Sequence, residues 1–187
     1  MPIDDGEYGP AALWPDETTE AITLLYRREG GAVYRTIYGI VLESGEANDL
    51  TRETFARACD AWDQFDGSDP RAWLHRIAAD LAIQFARTAY RRKGLTQRAS
   101  AEATTAGEPV EGAQEAEVVA WLMQPLTPEQ RALVTLCYYQ QFTPAQIASY
   151  FGIPAGSLVS RLNRAMQVLR RRAQAAGAMQ PQEYAAR

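Results

Sequence analysis

One histidine, two cysteines and no long apolar run are all that this 187-residue chain offers to several large classes of function. His75, Cys59 and Cys137 cannot supply the four ligands of a structural zinc site, so no metal is expected. The two cysteines stand far apart in the chain and read as buried free thiols in a reducing compartment. A disulfide or a redox pair is the alternative reading. The apolar stretches are a handful of residues long, against the roughly 20 that a membrane helix needs. The opening residues, "MPIDDGEYGP", carry acids where a secretory leader carries bases, and a cytoplasmic location is expected. Strand-like alternation is missing, and with it the strand that precedes a glycine-rich phosphate loop. Asp49 and Glu53 are four apart and form a carboxylate pair, but nothing near them in sequence would raise a pKa. No serine or cysteine has a recognisable base partner. Neither catalysis nor a cofactor is expected.

What is present is an uneven distribution of charge. The formal net charge is −4. Residues 1–69 hold 15 acids and 5 bases, whereas residues 70–98 hold 1 acid and 7 bases. Residues 99–117 hold 5 acids and no base, and residues 118–187 hold 2 acids and 7 bases. A solvated surface normally mixes the two signs. Two separated basic blocks predict two separate contacts with a polyanion.

The apolar periodicity is helical throughout, which predicts an all-α protein of two small helical domains joined by a flexible acidic linker. Residues 1–18, with their prolines, glycines and acids, read as a mobile N-terminal tail. Residues 19–93 read as the first domain. Within it Ile22, Leu25, Tyr26, Val33, Ile37, Tyr38 and Val41 recur at helical spacing, and Gly30-Gly31 predicts a break or bend. "EANDLTRETFARACDAWDQFD" is amphipathic with a polar exterior. "DGSDP" ends that pattern. "RAWLHRIAADLAIQFARTAYRRK" then puts Trp73, Leu74, Ile77, Ala78, Leu81, Ala82 and Phe85 on one face, leaving His75, Arg76, Asp80, Gln84 and Arg87 outside. Residues 94–116 read as the linker, able to reach about 75–80 Å if fully stretched. Residues 117–175 read as the second domain and residues 176–187 as a C-terminal tail.

The second domain carries two helix-start signals. "TPEQ", Thr127 to Gln130, and "TPAQ", Thr143 to Gln146, each place a hydroxyl before proline with glutamine three residues on. Gly152 is positioned to cap the helix that the second signal starts. The last helix buries Leu158, Leu162, Ala165 and Leu169. Its other side offers Ser157, Ser160, Arg161, Asn163 and Arg164, donors and acceptors of the kind that read bases from the major groove. Arg170, Arg171 and Arg172 suit phosphates, or simply a solvated helix end that complements the helix dipole. In the first domain, Trp73, Tyr90 and the neighbouring arginines suit single-stranded nucleic acid, although Trp73 equally suits the core. His75 reads as a surface or satisfied residue.

Taken together, these segments resemble the extracytoplasmic-function (group IV) sigma factors of bacterial RNA polymerase. "NDLTRETFARACDAWDQFD" is similar to that family's region 2.2, and "PRAWLHRIAADLAIQFARTAYRR" to its regions 2.3 and 2.4. "LTPEQRALVTLCYYQQFTPAQIASYFGIPAGSLVSRLNRAMQVLRR" is similar to its region 4. The resemblance implies a non-catalytic promoter-specificity subunit that binds core RNA polymerase through Asp49, Leu50, Glu53 and Phe55. It implies that Arg76, Asp80, Gln84, Arg87 and Arg91 hold the opened strand of the minus-ten element. It implies further that Ser157, Ser160, Arg161, Asn163 and Arg164 read the minus-thirty-five duplex, and that an anti-sigma factor is a partner. The acidic linker would thread the nucleic-acid channels of the polymerase.

The chain departs from the family's pattern at three positions. Asp80 stands where asparagine is usual and Gln84 where aspartate is frequent. Val159 occupies a position that is commonly basic. An ionised Asp80 accepts hydrogen bonds but donates none, and it repels phosphate. These departures motivate a second reading, a sigma-like decoy that binds an anti-sigma factor without opening promoters. A stand-alone helix-turn-helix regulator is a third, and the long match before residue 94 speaks against it.

Overall fold

A computed structural model describes residues 16–99 and 115–175, with side-chain surroundings defined for 18–89 and 116–175. Among the described residues there are seven α-helices and no strand. Helices α1 (Asp16–Val41), α2 (Ser44–Asp60) and α3 (Pro70–Ala99) pack on one another as the first half. The second half contains α4 (Glu115–Met123), α5 (Pro128–Val134), α6 (Pro144–Phe151) and α7 (Ala155–Ala175). A π-helical turn, Thr135–Tyr139, extends α5.

Local chemistry sets most of the helix ends. Thr127 and Thr143 each form a reciprocal capping box with Gln130 and Gln146, and each is followed by proline in the first turn. Gly152 adopts φ +60° and closes α6, so that α7 starts three residues later. Helix α2 is capped by a device the periodicity does not announce: the Glu43 carboxylate accepts from the backbone N–H groups of Gly45 (2.9 Å) and Glu46 (2.7 Å).

Three sequence expectations change. Helix α1 runs unbroken through Gly30-Gly31. Gly30 is itself buried, and the next turns bury Val33, Ile37 and Ile40, so packing outweighs the roughly 1 kcal/mol that each glycine costs a helix. Helix α2 stops at Asp60, and Phe65 sits in the following loop, tilted against Trp62 and Trp73 with ring centroids 5.4 and 5.0 Å away. Helix α3 continues to Ala99, past the position where the linker was expected to begin.

The largest difference concerns the core. The sequence leads one to expect a separate core in each domain. The described residues instead form one continuous apolar cluster that runs from Val33, Ile37 and Leu74 in the first half to Leu133, Leu136 and Ile147 in the second. Only Met123, Leu126 and Ala165 form a smaller cluster of their own.

His75 lies within this shared core. It is fully buried, not on the outer face of α3. Its Nδ1 is 2.9 Å from Thr36 Oγ1, and that hydroxyl in turn donates to the Ala32 carbonyl (3.0 Å). With the hydroxyl proton so placed, Nδ1–H is the donor to Thr36. Nε2 finds no hydrogen-bond partner among the described residues. The Phe142 ring from the second half meets the imidazole edge-on at 5.3 Å. Burial, and then the nearby Arg71 charge, lower the His75 pKa to about 4, with Asp69 opposing and Arg35 adding to the fall.

Folding therefore disfavours the imidazolium. The unfolded chain takes up the proton first as pH falls below about 6.5, so stability drops from there down to about pH 4, where the folded form also becomes protonated. Between those limits the wild type should lose roughly 3 kcal/mol relative to a His75→Leu variant. Urea unfolding of both proteins at several pH values checks this; parallel pH profiles would refute it.

Candidate nucleic-acid interface

Helix α3 presents Arg76, Asp80, Gln84 and Arg87 to the outside, at spacings of four, four and three that keep them on one stripe. The opposite side of the same helix is anchored by the buried Leu74, Ala78, Leu81 and Ala82. Arg91 lies beyond the residues whose side chains are described. Arg87 forms a short ion pair through Nε with Glu129 of α5, and that arginine helps to hold the Glu129 carboxyl below its ordinary range against the effect of burial. Partial withdrawal from water pushes the Asp80 carboxyl up, and Arg76 opposes that shift.

A groove of about 290 Å³ runs beside this stripe between α2 and α3, lined by Leu50, Glu53, Arg57, Leu81, Gln84 and Phe85. Expected polymerase-binding and strand-binding residues thus share one groove. Asp49 and Glu53 point outward and pair with Arg52 (3.0 Å) and Arg57 (2.6 Å) on their own helix. Leu50 and Phe55, expected beside them as contact residues, are buried instead. Phe55 meets the Tyr26 ring edge-on at 4.9 Å. Their place is under the acidic face rather than on it. Trp73 also packs inward, in the aromatic group with Trp62 and Phe65.

In the second half α6, the turn at Gly152 and α7 form the helix-turn-helix. Leu158, Leu162 and Ala165 are buried, and this fixes the roll of α7. Ser160, Arg161, Asn163 and Arg164 are thereby exposed together, with Ser157 half-buried at the start of the helix. Ser160 donates back to the Ser157 carbonyl (2.9 Å). Val159 is 44% exposed on the same outward side, so the apolar departure faces solvent rather than the core. Leu169 is only partly buried. Of the three terminal arginines, Arg170 and Arg171 are exposed. Arg172 turns back, lies over the Trp121 ring at 4.1 Å and approaches the Gln124 amide oxygen at 3.3 Å. It ties α7 to α4 and is not presented to phosphate.

Residues 25–92 match the Sigma-70 region 2 family, and residues 121–169 match the Sigma-70 region 4 family. The two halves thus carry sigma-70 region 2 and region 4, in that order. Among curated relatives, the ECF RNA polymerase sigma factor SigL of Mycobacterium tuberculosis is 29% identical over 150 residues, spanning 78% of this chain and 85% of that one. A probable RNA polymerase sigma-C factor of Mycobacterium bovis is 32% identical over 127 residues, spanning 67% and 69%. The fold is shared with the sigma factor RpoE of Bartonella quintana, solved in complex with the anti-sigma factor NepR. That match has a TM-score of 0.63 and 21% identity, and covers 83% of this chain and 98% of that one. CnrH, solved with the cytosolic domain of CnrY, gives a TM-score of 0.64 and 22% identity over 83% and 89%. This chain belongs to the ECF RNA polymerase sigma factors. Members of that family are transcription-initiation factors, not enzymes. No described helix is long and apolar enough to cross a membrane.

The raised Asp80 carboxyl generates a stability prediction. In the folded state the charged form is disfavoured, so the penalty is present above the ordinary aspartate range and vanishes when both states are protonated. Asp80→Asn should therefore melt above the wild type at pH 7, and the two melting curves should converge as pH falls below about 4. Identical melting temperatures at pH 7 would show that this carboxylate is fully solvated.

Proposed function

We propose that this chain is the promoter-specificity subunit of a bacterial RNA polymerase, with residues 19–93 and 117–175 as its two working units and the cytoplasm as its location. The observation that carries the reading is the pair of outward stripes, one on α3 and one on α7, each set by a buried apolar face behind it. Core polymerase meets the acidic face of α2, where Asp49 and Glu53 are the exposed contacts for a basic partner surface. Leu50 and Phe55 support that face from beneath.

The stripe of Arg76, Asp80, Gln84 and Arg87, extended by Arg91, holds the opened minus-ten strand. A base taken out of the stack costs a few kcal/mol, which such contacts must offset. Asp80 accepts from an exocyclic amine of cytosine or adenine, an arrangement that also explains its tolerance beside phosphates screened by Arg76. Arg161, Asn163 and Arg164, with Ser157 and Ser160, read the minus-thirty-five duplex in the major groove. Promoter DNA and core polymerase are thus the partners of the active state, and an anti-sigma factor is the partner of the inactive one.

The departures at Asp80 and Val159 favour one competing reading, a decoy that binds an anti-sigma factor and opens no promoter. Run-off transcription with purified core polymerase separates the two. The double change Asp49→Arg, Glu53→Arg should weaken core binding while helicity is retained. Arg164→Ala should weaken minus-thirty-five binding by about 1–3 kcal/mol and leave core binding unchanged. Core binding without transcription from any tested promoter would favour the decoy. Loss of core and duplex binding together in Arg164→Ala would show damage to the fold rather than a lost contact.

A further inference from the structure

The outward face of α7 is shallow at its start and mixed in chemistry. Gly156, Val159, Ser160 and Asn163 are linked by steps of three and four residues and so share one stripe. Gly156 is exposed, and a Cβ built there would meet nothing within 4 Å. No side chain at that position holds the first turn of α7 away from an approaching surface. Ser160 gives its only hydroxyl proton to the Ser157 carbonyl (2.9 Å), which leaves its oxygen to accept. Among these polar or absent side chains stands Val159. It is 44% exposed, and it is the one large apolar side chain of α7 left exposed. A lone exposed valine is ordinary on a solvated surface. This one lies in the second turn of the helix whose N-terminal half meets base edges in a helix-turn-helix, where its neighbours are donors and acceptors.

The major groove carries one apolar group suited to pack against such a side chain, the C5-methyl of thymine. Against the polar edge of guanine, or against a phosphate, the valine methyls would displace water and return no hydrogen bond. Against a thymine methyl they bury apolar surface on both sides. We infer that Val159 is a specificity-determining residue that selects thymine in the minus-thirty-five duplex through its C5-methyl group. This role of Val159 rests on the proposed function, which carries α7 into the groove. Asn163 suits the N6 and N7 groups of an adenine. It lies one turn beyond Val159, about 6 Å along the helix axis. Base pairs follow one another at about 3.4 Å, so the selected thymine falls within about two steps of that adenine. A basic residue in place of Val159 would attract phosphate and read no methyl.

Holoenzyme assembled from the full chain and core polymerase provides the test. It selects bound duplexes from a library randomised upstream of the minus-ten element. The wild type should enrich a thymine that Val159→Ala and Val159→Lys enrich less. That thymine is then replaced by uracil, which differs from it by the methyl group alone. Uracil should weaken wild-type binding about fourfold, the worth of one buried methyl, and should change binding by Val159→Ala less than about twofold. Cytosine and 5-methylcytosine at the same position isolate the methyl a second time. The wild type should bind the methylated form about fourfold more tightly than the unmethylated one. Val159→Lys should lose both discriminations and steepen the dependence of log affinity on log salt by about 0.9. Both variants should bind core polymerase as the wild type does, because the side chain lies outside the core. Equal wild-type binding of thymine and uracil duplexes, with an upstream element still selected, would overturn the methyl reading and leave the proposed function standing. A methyl preference that persists undiminished in both Val159→Ala and Val159→Lys would assign the methyl to another residue and overturn the role of Val159. A holoenzyme that enriches no upstream sequence would overturn the proposed function, and the role of Val159 with it.

Discussion

Everything distinctive about this structure depends on the close approach of α1 to the π-helical turn after α5. Gly39 permits it, because any larger residue would drive Thr135 away. Once the backbones are that close, Ile37, Leu74, Leu136 and Ile147 fall into one apolar cluster, and His75 has no route to water. Two of the polar groups at this approach are then satisfied across the halves rather than within either one. Gln140 takes the Ala32 carbonyl and Arg131 the Ile40 carbonyl. The histidine is the exception, one nitrogen on Thr36 and the other bare. A buried unpaired nitrogen costs on the order of 1–3 kcal/mol, so the shared core carries a built-in opposing term.

Individual elements were legible in the sequence to the extent that their determinants are local. The two threonine capping boxes, the glycine at residue 152 and the roll of α7 follow from side chains within a few positions of one another. Both exposed stripes follow from the same logic, since Leu158 and Leu162, or Leu81 and Ala82, dictate which way their neighbours face. The resemblance to sigma factors rested on those segments and was supported by the match to both sigma-70 regions.

What was not legible depends on partners distant in the chain. His75 shares its flank of α3 with exposed arginines, and only the arrival of Phe142 and Thr36 makes that flank interior. Phe55 and Leu50 lie beside acidic residues that do face outward, and the resemblance that implied a contact role for all four does not separate support from contact. Gly30-Gly31 read as a break or bend because intrinsic propensity is a local quantity, whereas the burial that overrides it comes from α2 and α3. Arg172 belongs by composition to a basic helix end, yet the Trp121 ring on α4 captures it.

The Tyr38 hydroxyl donates to the Ala116 carbonyl (2.9 Å), fastening the start of the second half to α1. The two halves are therefore fastened to one another at the point where the second begins. Under that condition each half meets the other at an effective concentration in the millimolar range. A contact too weak to join two separate molecules at cellular concentrations is strong enough to join two parts of one.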